Sequence, residues 1–161
     1  MLKSAVISEN GLYRLILFRI WDSTKLPMGF LQLNPSKADA EVDDPTLRRD
    51  MGFSRREGAG GVVLVNMYAF RATNPKELLL AADPVGPDND EYIARAFHMC
   101  GGSLVAGYGS HPMAHKREQD IFDLMDAQDV LYCLGRTKEG MPRHPLYVRA
   151  DHPLEEYAKW A

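Results

Sequence analysis

Cysteine is scarce: Cys100 and Cys133 are the two in 161 residues, too few and too far apart for a disulfide framework or a thiolate metal cage. That pattern fits a reducing compartment, with the cytoplasm as the expected location. Charge of one sign is also lacking, since 19 Lys and Arg stand against 22 Asp and Glu, for a formal net charge of -3. A protein held to nucleic acid by bulk electrostatics would show a basic excess, so only a local basic patch is left open. Long apolar runs are missing too. No stretch approaches the ~18 apolar residues that a membrane span requires. Residues 1–20 carry Lys3, Glu9, Arg14 and Arg19, with no apolar core before a cleavage site. The sequence predicts neither a targeting peptide nor a membrane partner, and no pattern in it sets an oligomeric state.

What is present is a chain with 45% hydrophobic residues, the size of one domain with an adequate core. No repeat, low-complexity tract or linker divides it, so residues 1–161 read as a single domain. "LYRLILFRIW" (12–21) alternates and is rich in β-formers, which predicts an antiparallel or edge strand before the main fold. "MGFLQLNP" (28–35) is a second strand, and "GGVVLVNMYAF" (60–70) is apolar enough to be covered on both faces. "SLVAGYGS" (103–110) and "DVLYCLG" (129–135) supply two more. Between them, "DPTLRRDMGFSRREG" opens with Asp44-Pro45, suited to N-cap and first-turn positions, and stops at Gly58. Further helices are predicted within "NPKELLLAA", "DNDEYIARAFHMCG" and "PMAHKREQDIFDLMDAQ". This alternation implies right-handed crossovers and an α/β fold. The expected form is a three-layer α/β/α sandwich with a four-stranded parallel core sheet near 28–34, 61–67, 103–107 and 129–134, plus an N-terminal edge strand.

In open α/β sheets the ligand site lies beyond the C-terminal ends of the strands. The residues that finish the strands are Asn34-Pro35-Ser36, Asn66 to Arg71, Gly107 to Ser110, and the segment after Gly135 that reaches His144-Pro145. Asn, Gly and Pro punctuate loops anywhere. Four such ends on one sheet edge nevertheless predict a polar cleft there, with Asn34, Asn66 and His144 around it.

Two resemblances attach to these segments. "LNPSKADAEVDDPTLRR", "VVLVNMYAFRATNPKEL", "DPVGPDND" and "RHPLY" closely resemble the bacterial and phage family of domain of unknown function 1643, over nearly the whole chain. In order and interval, "LNPS" (33–36), "LVN" (64–66), "GYGS" (107–110) and "RHPLY" (143–147) also resemble the strand-terminal motifs of the uracil-DNA glycosylase superfamily. Asn34 matches the mismatch-specific branch, where the uracil-specific branch has Asp. His144-Pro145 is followed by Leu146-Tyr147, where those enzymes usually carry Ser-Pro, and the four cysteines of the iron–sulfur branches are absent. The second resemblance implies a uracil-DNA glycosylase-like domain that recognises a nucleobase, in a nucleotide or in DNA. It further implies a hydrolase of N-glycosidic bonds of the kind used in DNA repair, with no cofactor. The alternative is a non-catalytic base-binding module of the same fold.

Cleaving such a bond passes through an oxocarbenium-like sugar, so it needs a positioned water on one side and a donor for the departing base on the other. Asn34 is suited to orient the water through its side-chain carbonyl, with Pro35 fixing the backbone. A neutral amide is a weak base, and Asp39, Asp43 or Asp44 is the local supply of a carboxylate; Asp43 is the one assigned. His144 is suited to donate to a base oxygen even when neutral. Asn66 carries donor and acceptor on one amide, matching a pyrimidine edge, or it ties down a loop. Tyr68 and Phe70 read as stacking platforms or as core. Ser36, Ser110 and Arg71 complete the candidate contacts, Arg71 either to a ligand phosphate or carboxylate or in a structural ion pair. The acids at 39–44 either bind a hard cation or favour the start of a helix through its dipole; their spacing fits the second better. In "DDPTLRR", Asp44 is placed to cap while Asp43 pairs with an arginine. His111 and His115 lie four apart, but Pro112 between them marks a helix start and no helical Glu accompanies them.

Overall fold

In a computed structural model that describes residues 1–159, the apolar runs become strands of one mixed, seven-stranded sheet. Its strands are β1 (Leu2–Ile7), β2 (Arg14–Ile20), β3 (Met28–Gln32), β4 (Gly61–Asn66), β5 (Ser103–Ala106), β6 (Val130–Cys133) and β7 (Glu155–Lys159). The order across the sheet is β1-β2-β4-β3-β5-β6-β7. β3 lies parallel to both β4 and β5, and β5 parallel to β6. β1 and β2, β2 and β4, and β6 and β7 pair antiparallel.

The sheet is mixed and larger than the expected four-stranded parallel core with one edge strand. The segment 12–21 does form a strand, but it is not at the edge: β2 is held between β1 and β4, and Leu15, Ile16 and Leu17 on it are buried. β1 and β7 escape a pattern reading because they are edge strands. Their residues are exposed or half-buried, and Glu155, Glu156 and Lys159 replace apolar alternation with charge, as edges that must resist further pairing commonly do.

Helices cover both faces. α1 (Pro45–Arg56) lays Leu47, Met51 and Phe53 against Leu17, Phe30, Val62, Leu64 and Val105. α2 (Lys76–Leu80), α3 (Asn89–Met99) and α4 (Pro112–Asp123) cover the other face. There Leu78, Ile93, Ala96, Phe97, Met113 and Ile121 meet Ile16, Leu31, Val63, Val65, Leu104 and Leu131. Strand residues of adjacent number therefore serve opposite layers, as the two-residue period of a pleated strand requires. α1 begins as its residues dictate. The Asp44 carboxylate accepts from Leu47 N–H at 2.8 Å, Pro45 occupies the first turn where its missing N–H costs nothing, and Arg55 and Arg56 close the last turn. Cys100 and Cys133 are free buried thiols, pushed up to about 12 and 11 by burial. Among the described residues no helix is long and apolar enough to cross a membrane.

Candidate functional site

The strand order reverses at β3: the chain passes from β3 to β4 on one side, then crosses back to β5 on the other. Crevices open at the C-terminal edge of such switch points. Here a cleft of about 310 Å³ is lined by Gln32 at the end of β3, by Leu33, Asn34 and Ser36 after it, and by Tyr108 after β5. Asp44 and Thr46 at the start of α1, Ala72 and Thr73 after β4, and His144, Leu146 and Tyr147 of the late loop close it. The loop is seated by close packing. A Cβ on Gly107 would lie 2.9 Å from Pro145 Cδ, so the absence of a side chain at the end of β5 is what lets Pro145 approach. From the other side Arg49 of α1 donates to the carbonyls of Pro145 and Val148.

Asn34 is half-buried, and both amide hydrogens are committed: Nδ2 donates to Pro35 O at 3.0 Å and Ala72 O at 2.8 Å. Only the carbonyl oxygen is left to offer a ligand or water. At His144, Nδ1 accepts from Leu146 N–H at 3.2 Å, which fixes the proton on Nε2. Burial lowers its pKa from the ordinary imidazole value, with Asp44 acting in the opposite sense, so the ring is mainly a neutral donor at neutral pH. Its ring centroid lies 5.7 Å from that of Tyr147, which is 74% exposed at the rim.

Arg14 is the residue that a strand reading passes over. β2 runs antiparallel, so its first residue lies at the edge where the parallel strands end. The side chain is buried and lines the cleft. It donates to Ala38 O at 2.8 Å and to Asn66 Oδ1 at 3.3 Å, and among the described residues it forms no ion pair. Burial pushes its pKa down to about 10, still charged at neutral pH. The signal for it in the sequence is the charge itself, within a strand that is otherwise almost entirely apolar. Asn66 lies behind Arg14 and does not line the cleft. Asn89 of α3 secures that strand end by donating to the carbonyls of Asn66 and Met67. Arg14 Nε, Asn66 Nδ2 and Asn89 Oδ1 are buried without a protein partner, polar groups of the kind that ordered water commonly satisfies.

A family model described as "Protein of unknown function (DUF1643)" matches residues 14–146. The chain belongs to this family. The matched span begins at Arg14 and ends at Leu146, so every residue lining the cleft except Tyr147 falls within the DUF1643 match. No curated protein and no solved structure matches the chain.

The other candidate residues separate. Asp43 is not at the cleft: it pairs with the buried Arg19 of β2 at 2.8 Å, not with an arginine of α1. Asp44 lines the cleft instead. Asp39 accepts from Glu41 N–H and Val42 N–H, which hold its pKa below the usual carboxylate value. Tyr68 is core, its hydroxyl donating to Met113 O at 2.7 Å, and Phe70 packs edge-on against Tyr13. Pro35 is buried behind Asn34. Ser110 bonds Thr137 and does not line the cleft; Tyr108, two residues earlier, does. Arg71 lies in an adjoining groove with Ser36. His111 caps α4 by accepting from Met113 N–H, and His115 is exposed. Among the described residues no three His, Cys, Asp or Glu side chains are gathered to hold a metal ion.

Proposed function

We propose that the cleft binds a nucleobase, within a nucleotide or DNA, and hydrolyses its N-glycosidic bond. The observation that carries this reading is the joint presence in one cleft of Asn34, Asp44 and His144. Asn34 has only its oxygen to offer, and the His144 proton sits on Nε2. A water held by Asn34 Oδ1 and Asp44 attacks the anomeric carbon and passes a proton to Asp44. The glycosidic electron pair leaves with the base, and His144 donates a hydrogen bond to the base oxygen on which charge collects. Tyr147 supplies aromatic surface at the rim, and the cleft volume is at the small end of the range for ligand pockets.

One observation favours the alternative of a base-binding module. Both Asp44 oxygens already accept backbone N–H groups, from Leu47 and, at 3.3 Å, from Ala38, which leaves fewer lone pairs for a water. The deciding assay is release of free base from single-stranded and duplex oligonucleotides carrying uracil, hypoxanthine, xanthine or modified pyrimidines, with nucleoside monophosphates in parallel. The hydrolase reading expects Asn34→Ala and His144→Ala each to lower release by about 10²–10³-fold and Asp44→Asn to lower release while sparing binding. Binding without release in the wild type supports the module, and neither binding nor release contradicts both.

A further inference from the structure

A second groove, of about 360 Å³, adjoins the cleft and shares Ser36, Ala72 and Thr73 with it; Lys37, Arg71 and Glu77 complete its lining. Resting on the base-binding reading of the cleft, we propose that this groove is the subsite for the phosphate ester of a bound nucleotide. Lys37 is exposed and Arg71 half-buried, and among the described residues neither forms an ion pair. Among the described residues the one side-chain hydrogen bond of Arg71 is a long one, 3.4 Å to Gly11 O. Arg71 also lies near enough to Arg14 for the two cations to disfavour each other. Unpaired guanidinium groups in mutual repulsion are stabilised by an anion set between or beside them, and a guanidinium matches the oxygens of a phosphate in bidentate geometry. The Ser36 and Thr73 hydroxyls add donors on the shared wall.

One carboxylate lines the groove, against the two cations Lys37 and Arg71. Glu77 lines it and accepts from the Thr73 hydroxyl at 3.4 Å. Asp39 is within electrostatic reach of Arg71 but does not line the groove, and its Oδ1 accepts both the Val42 and Glu41 N–H groups. Asp44 belongs to the cleft and to the cap of α1. The groove thus favours an anion at one end of a ligand whose other end occupies the cleft, which is the layout of a nucleotide. A free monophosphate and a strand phosphodiester share this chemistry.

The test is a set of titrations of wild type, Lys37→Met/Arg71→Met and the charge-conserving Lys37→Arg/Arg71→Lys. The probes are inorganic phosphate, nucleosides, the matching nucleoside monophosphates and a short single-stranded oligonucleotide. Affinity is read by calorimetry and site by amide resonances. In wild type, inorganic phosphate at matched ionic strength moves the Ser36 and Thr73 resonances. The monophosphate, or the oligonucleotide if the source is a strand, binds about tenfold tighter than the nucleoside. The methionine variant loses this gain and the charge-conserving variant keeps the part owed to charge alone. If nucleosides fail to bind while phosphate still moves Ser36 and Thr73, the base reading falls and the subsite stands. The subsite is overturned if phosphate leaves those resonances unmoved, if neither phosphate ester gains over the nucleoside, or if the gain survives in the methionine variant.

Discussion

Arg19 holds the backbone of the acid-rich stretch that follows Asn34-Pro35 and pairs with one of its acids. Its side chain is fully buried, pairs with Asp43 and donates to the carbonyls of Phe18, Asp39 and Val42. With Asp39 closing a turn and Asp44 capping α1, three of the four acids Asp39, Glu41, Asp43 and Asp44 have local roles, and of these Asp44 also lines the cleft. The sequence supports a cap and a paired acid here. The choice between neighbouring carboxylates depends on the entry angle of α1, which no local pattern encodes. Asp50 is the other informative acid. It is fully buried, accepts both short contacts from Gln32 Nε2, and burial pushes its pKa well above the usual carboxylate range. The native state therefore holds this proton more tightly than the unfolded chain. The associated stability is complete below the ordinary carboxyl value and is lost as pH rises toward the elevated native one. Asp50→Asn removes the dependence. In denaturation series from pH 4 to 8, wild-type stability falls relative to the variant, with a slope of at most about 1.4 kcal/mol per pH unit. Parallel curves would mean that Asp50 is not protonated in the fold.

At the scale of elements, the site depends on three pieces held together: the end of β5, the start of α1 and the loop carrying His144. Gly107 admits Pro145, and Arg49 secures the same loop through the carbonyls of Pro145 and Val148. Gly107→Ala forces the loop outward, since Pro145 is a ring and has no flexible end to yield. Overpacking of this kind costs about 1–3 kcal/mol. The expected outcome is a modest loss in denaturation midpoint and a larger loss of nucleotide binding, because His144, Leu146 and Tyr147 all travel with the loop; unchanged binding would contradict this coupling. The helices and the central strands are legible because caps and apolar runs are local signals. The edge strands β1 and β7 are not, since their pairing partners decide them. The same holds for the seat of the loop, because a glycine in "GYGS" does not announce which distant proline it admits.

For the whole molecule, the reversal of strand order at β3 places the cleft, and the antiparallel course of β2 brings Arg14 to its floor. Asn34 and His144 are readable from the sequence because each stands beside a proline at the end of a predicted segment. Arg14 is not, because its place follows from a long-range pairing of β2 with β4. Nor is the partition of the Asn66 region, where the amide lies behind the arginine instead of in the cleft. The most direct measurement of the central claim is a crystal structure of the protein soaked with a panel of nucleobases and nucleotides. The account predicts a base in the cleft, in contact with Asn34 and His144 and flanked by Tyr147. A base seated instead in the groove of Arg48, Phe53 and Arg56 on α1, or a cleft that stays free of every compound at saturating concentration, would contradict it.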